Sequence, residues 1–171
     1  LPDITDDNPV DGLGSFFDSI WHAEQGFVYL PTLDRKANAW KKNMFKWPIH
    51  RKHVIEHVLG KVAQGLDVYF SPVIFNEAKP VKENVKGSFV VWAEYDGSAP
   101  SEWTPETAPA ADGTENRAPV PTPTMRVQSS KDGNEHVYWE LDHFETDTGW
   151  IENTNRSITY GTRADTSGWD I

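Results

Sequence analysis

Cysteine is absent from the chain, which excludes both a disulfide framework and a thiolate metal site. Long apolar runs are absent too. None approaches the ~20 residues a membrane-spanning helix needs, and no signal-peptide pattern opens the chain. A soluble cytoplasmic protein with no membrane partner is therefore expected. The first residue is Leu1, not Met, as expected of a processed or excised segment. Cations are scarce overall, with 16 Lys and Arg against 26 Asp and Glu and a net charge of −10. Read globally, that balance argues against a nucleic-acid partner.

Read locally, the charge says something else. Between Arg35 and Lys61 stand eight cations against Glu56 alone, a local charge of +7. They are interleaved with Trp40, Phe45 and Trp47. Basic residues mixed with aromatics suit a single-stranded nucleic acid, whose phosphates and bases both need partners. Lys41, Lys42, Lys46, Arg51 and Lys52 are the candidate contacts. The competing reading is a solvated helix face with core aromatics beside it. Eight Trp residues point to a thick core or to stacking surfaces. A chain of 171 residues is expected to form one domain, or most of one, around a real core.

The organising stretch is Gly87–Gly97. Phe89 to Ala93 is an unbroken apolar run rich in β-branched and aromatic residues, which reads as a central strand covered on both faces. Glu94 and Asp96 follow two apart, so a strand's period of two turns both carboxylates to one face. Two such acids repel and lose solvation, and a pair of divalent ions about 3.5–4 Å apart is the usual remedy in phosphoryl-transfer sites. Solvated acids in a strand-end turn are the plainer reading.

In chain order, residues 1–8 are acidic and expected to fray. Ser15–Trp21 has helical spacing, and Gly26–Leu30 reads as a strand stopped by Pro31. His50–Gln64 is the clearest helix, with Val54, Ile55, Val58, Leu59 and Val62 as its apolar stripe and Gly65 just beyond its end. Leu66–Ser71 is expected to be a strand. Residues 98–124, rich in Pro, Ala and Thr, read as a long connection and not a second domain. Met125–Ser129 and Glu135–Leu141 read as a β-hairpin around a Gly/Asn turn. In its second strand Val137, Trp139 and Leu141 face one way, while His136, Tyr138 and Glu140 face the other. His136 would then sit on a polar face beside Ser130 and Lys131, whose N–H and cationic groups suit an anion. Ile151–Ala164 is a plausible helix, followed by Asp165 as a candidate third acid.

One motif competes. His53-Val54-Ile55-Glu56-His57 matches H-x-x-E-H, a zinc-peptidase signature. Its histidines fall outside the apolar stripe, on the cationic face with Lys61. A solvated basic face accounts for them as well, and a zinc peptidase using His53, Glu56 and His57 is kept as a remote alternative.

Three stretches in this order resemble the archaeo-eukaryotic primase superfamily, in particular the primase-polymerase domains of phage and plasmid replication proteins. Val90-Val91-Trp92-Ala93-Glu94-Tyr95-Asp96 is similar to its first motif, an apolar strand ending in D-x-D or D-x-E. The stretch from Gln128 to Trp139 is similar to the second, a small residue followed by a spacer and a His. Ala164-Asp165-Thr166 looks like the acidic third. The likeness runs from about Asp67 to the end of the chain. It departs at Glu94, where the family usually has Asp, and it lacks the segment that commonly follows the third motif, as in a domain truncated at its C-terminus.

The resemblance implies an α+β fold: an RRM-like antiparallel sheet flanked by helices, with a small N-terminal α/β module. It implies template-directed nucleotidyl transfer, as a DNA primase or DNA polymerase in phage or plasmid replication, in a host cytoplasm if phage-encoded. Glu94, Asp96 and Asp165 would hold Mg²⁺ or Mn²⁺, His136 with Ser130 and Lys131 would bind the nucleoside triphosphate, and the basic stretch would hold a single-stranded DNA template. A helicase, either as a domain following this segment or as a separate protein, would be a natural partner. The alternatives are a catalytically inactive, single-stranded nucleic-acid-binding replication accessory and a Trp-rich carbohydrate-binding module.

Overall fold

The structure, a computed structural model, describes residues 9–97, 120–128, 134–162 and 164–168. The chain divides into two compact units, Pro2–Phe89 and Val90–Ile171. Both are α+β, with antiparallel strands and flanking helices.

The first unit opens with helix α1, Pro9–Trp21. It begins earlier than the periodicity of Ser15–Trp21 suggests, because proline fits the first turn of a helix. Phe17, Ile20 and Trp21 are buried, at the spacing of one helical face. Trp21 stacks on Phe17 with centroids 4.6 Å apart and meets Trp47 edge-on at 5.1 Å. Both indoles also satisfy their N–H: Trp21 Nε1 donates to Ser71 O (3.1 Å) and Trp47 Nε1 to His22 O (2.7 Å). Such paired burial and bonding lets tryptophan anchor a core.

Strand β1 (Gly26–Tyr29) is followed by β2 (Thr32–Asp34), β3 (Ala39–Lys41) and β4 (Met44–Trp47). Helix α2 is Arg51–Ala63, and β5 (Asp67–Val68) and β6 (Ile74–Phe75) come after it. The long strand β7 runs from Val85 to Asp96 and passes from the first unit into the second. In the first unit the order is β4-β1-β6-β7, with a separate three-stranded sheet β3-β2-β5. At Gly26 only glycine fits: an added Cβ would lie 2.3 Å from Ile74 Cγ2 and 2.8 Å from Phe75 O.

Two expectations are corrected in this unit. The strand expected over Leu66–Ser71 shrinks to Asp67–Val68, opposite Thr32 and Leu33, although the N–H groups of Tyr69 and Ser71 still donate to Pro31 O and Tyr29 O. The apolar stripe of α2 is narrower than its periodicity suggests. Val54 and Ile55 are buried but Val62 is 58% exposed, since the last turn of the helix extends past the layer it covers.

In the second unit β7 pairs with β9 (Asn134–Glu145), which pairs with β8 (Met125–Gln128). The hairpin expected there forms antiparallel, with Met125 opposite Tyr138 and Val127 opposite His136. Helix α3 covers Thr148–Thr162 and starts three residues before Ile151. Asp147 Oδ1 accepts the Trp150 N–H (3.0 Å), an N-cap in the place such aspartates favour. Val91, Ala93 and Tyr95 form one core cluster with Val137, Trp139 and Ala164. These are alternate residues of β7 and β9, so the intervening Glu94 and His136 belong to the opposite face.

Candidate functional site

The hairpin register decides where His136 points. Burying Val137 and Trp139 in the core sends His136 to the other face, and a slip of one residue would reverse this. His136 Nε2 lies 3.2 Å from Glu94 Oε1. Its Nδ1 lies 3.5 Å from the Tyr138 hydroxyl. Tyr138 is buried, and burial first, then the Glu94 charge, raises its pKa. The phenol therefore keeps its proton. Nε2 is the ring nitrogen that faces the Glu94 carboxylate, and a hydrogen on it is placed to donate there. Glu94 and His136 side chains are each about one-third exposed, so the pair is open to a solute.

The segment after α3 closes round this pair. The Asp165 N–H donates to Glu94 O (2.7 Å), and Asn155 Oδ1 accepts the Trp92 N–H (2.9 Å). Residues two apart in a strand direct their main-chain groups to the same edge. Helix α3 and its exit thus satisfy that edge of β7 where no strand does, as a buried backbone requires. Trp92 Nε1 donates to Gly168 O (2.8 Å). Gly168 itself packs on Glu94: an added Cβ would stand 3.0 Å from Glu94 Cβ and 3.1 Å from Oε2.

The expected third acid, Asp165, is engaged by a neighbour. Asp165 Oδ1 accepts the Ser167 N–H and Oδ2 the Ser167 hydroxyl, both at 2.9 Å. Those bonds, the backbone one first, lower its pKa. Only the main chain of Asp165 reaches Glu94. Asp96, exposed at the end of β7, shares the Glu94 face by alternation. Among the described residues no group of three or more His, Asp or Glu side chains is placed to hold a metal ion. The donor chemistry still fits Mg²⁺ or Mn²⁺ at two carboxylates, because such ions commonly take one or two from the protein and complete their shell with phosphate oxygens and water. Glu94 and Asp96 would supply such a pair. Ser130 and Lys131 lie outside the described residues.

The basic stretch, Arg35 to Lys61, runs through strands β3 and β4 and into α2, and its cations divide into two sets. Arg51 makes a bidentate ion pair with Asp18, at 2.8 and 2.7 Å, tying α2 to α1. Lys52 lies 3.7 Å from Glu56 one turn on. Lys41, Lys42 and Lys46 are exposed and have no ion-pair partner among the described residues. In the H-x-x-E-H segment His53 is exposed and packs edge-on to His50. His57 is half-buried against Phe45, with centroids 5.0 Å apart. Burial, then Lys61, lowers the His57 pKa. The two histidines thus sit in different surroundings, and Glu56 is engaged by Lys52.

Sequence reasoning assigned no part to Tyr138, Asn155 or Gly168. Tyr138 was legible as the residue two beyond His136 on the same face. Asn155 and Gly168 carried no local signal, because their contacts are with β7, 63 and 76 residues away. No protein-family model matches the chain, and no curated protein or solved structure matches it either.

Proposed function

We propose that the second unit carries a metal-dependent nucleotidyl-transfer site of the primase-polymerase kind, using Glu94 and Asp96 as metal-binding acids and His136 as a nucleotide contact. The observation that supports this reading most is the 3.2 Å approach of His136 Nε2 to Glu94 Oε1, with the Asp165 N–H on the carbonyl of the same Glu94. Residues from three separated stretches, which resemble three motifs in order, meet at one strand end. Bound Mg²⁺ or Mn²⁺ would supply charge neutralisation and activation of a 3′-hydroxyl. The chain's own residues do the rest. Glu94 holds the imidazole by its Nε2–H, and Tyr138 holds Nδ1. A triphosphate entering here would take over the Nε2–H as its donor and leave Glu94 free to turn to the metal. Asp165 keeps the β7 end in register through its N–H. The exposed lysines of the first unit would hold the single-stranded template.

The test is nucleotide incorporation on a primed template with Mn²⁺ or Mg²⁺. Asp96→Ala is expected to abolish incorporation with the fold intact by circular dichroism. His136→Ala is expected to raise the nucleotide KM with a smaller effect on template affinity. Unchanged incorporation by Asp96→Ala would end this reading. A second reading, a binding accessory without catalysis, is favoured by one observation: Glu94 and Asp165 both have their carboxylates engaged within the chain. Template binding without incorporation, in wild type, would select it.

A further inference from the structure

The sheet β3-β2-β5 presents an exposed aromatic face. Trp40 is 57% exposed and Tyr69 38%, and their rings approach to 5.1 Å at a tilt of 44°. Leu33 lies opposite Trp40 on one side and Asp67 on the other. Period-two alternation puts Leu33, Arg35, Asp67 and Tyr69 on the face that Trp40 occupies. Arg35 is fixed there by its ion pair with Asp67 and by Nη2 at 3.5 Å from the Tyr69 hydroxyl. The β2–β3 turn is built for shape, with Asp34 Oδ1 accepting the N–H of Lys36 (2.9 Å) and Ala37 (3.1 Å) and Asn38 in the left-handed region at φ 48°. Exposed Lys36 stands in this turn and exposed Lys42 two residues beyond Trp40, on its face by the same alternation, neither in an ion pair among the described residues, while Lys41, opposite Thr32, turns to the other face.

Nothing in the core requires a large indole at Trp40, since all three residues of β3 are exposed. The ring pair is tilted, so a flat group cannot be sandwiched between the two. It can lie on the open face of either, with lysine ammonium groups alongside. A polymer that offers a flat π-face and a phosphate at each unit fits this arrangement. A neutral sugar would use the rings but not the lysines.

We infer that Trp40 and Tyr69 form a base-stacking platform for single-stranded nucleic acid, with Lys36 and Lys42 engaging its phosphates. This rests on the proposed reading only in taking a nucleic acid as partner, and it needs no catalysis. The stacking residues are the new element: they set base contact, while the lysines set salt dependence.

The experiment is anisotropy titration of the full chain with labelled dodecathymidylate at several salt concentrations, beside an abasic strand of equal length and cellohexaose. Trp40→Ala should weaken dodecathymidylate binding by roughly five- to 150-fold with its salt slope unchanged. It should leave the weak abasic binding as it was, and Trp40→Phe should restore most of the loss. Lys36→Ala with Lys42→Ala should instead flatten the salt slope. If Trp40→Ala misfolds, Trp40→Phe decides through fluorescence: wild-type emission should be quenched by dodecathymidylate and not by the abasic strand, and the quench should shrink in the variant. Equal binding by Trp40→Ala, an equal loss on both strands, or cellohexaose binding in place of the oligonucleotide would each overturn the platform. Wild-type chain that binds but incorporates nothing would remove the catalytic reading alone.

Discussion

The two units differ most in how they dispose of charge. Pro2–Phe89 holds eleven Lys and Arg against eleven Asp and Glu, so its net charge is zero, whereas Val90–Ile171 holds five against fifteen and carries the whole −10. The neutral unit nonetheless has a cationic face, because its acids are drawn into pairs such as Asp18 with Arg51 and Asp67 with Arg35 while Lys41, Lys42 and Lys46 are left exposed. The acidic unit spends Glu94 on His136 and Asp165 on Ser167. Net charge is therefore a poor guide to partners here; which charges remain unpaired on one face is the better one.

The comparison can be broken most severely at the aromatic core of the neutral unit. Trp21→Ala removes a fully buried indole that contacts Phe17 and Trp47, and should cost about 3–5 kcal/mol in denaturant unfolding. A loss below about 1 kcal/mol, the size of an ordinary point mutation, would show that this core does not hold the cationic face in place. In the acidic unit the matching test is a single acceptor. Asn155→Ala leaves the buried Trp92 N–H without its partner and should cost about 1–3 kcal/mol, with a rise in hydrogen exchange at Trp92. Slow exchange there in the variant would mean that β7 finds its edge partner elsewhere.

A finer test separates paired from free cations. Lys41, Lys42 and Lys46 changed together to Ala should weaken single-stranded DNA binding and flatten its salt dependence. Arg51→Ala, which breaks a half-exposed ion pair, should leave that slope in place and cost no more than about 1 kcal/mol of stability. Equal slopes for both variants would erase the distinction drawn here.

The smallest effect is one of pH. The folded-state pKa of His57 is lowered, by burial first and by Lys61 second. The unfolded chain therefore binds the proton more readily, so the contribution is present above the unfolded value near 6.5 and is lost as pH falls through the folded one. His57→Leu should flatten the fall in melting temperature between neutral and mildly acidic pH. A fall of the same depth in the variant would assign it to other groups.

Alternation and periodicity made much of this architecture legible. The run Phe89–Ala93 marked the long strand β7, the alternation from Glu135 to Leu141 placed His136 away from the core, and Gly65 marked the end of α2, with φ 73°. These signals survive because each depends only on neighbours in sequence. Element ends were less legible: α3 begins at the Asp147 cap and β5 is two residues long, both set by what the neighbouring segment offers. The basic stretch hid its strands, because short strands exposed on one or both faces leave little apolar pattern to read.

By itself, then, the sequence determined the central strand, the paired strands after it and the face of their histidine, since a buried strand face leaves only one register open. Only the tertiary structure decided which acids are free. Asp165 lies 71 residues from Glu94 in the chain, and its carboxylate turns to Ser167 while its N–H reaches the Glu94 carbonyl. It also decided that Arg51 is consumed by Asp18 and that Trp40 meets Tyr69. Pairings across such distances depend on where packed strands and helices bring side chains to rest, and a periodic pattern carries no information about that.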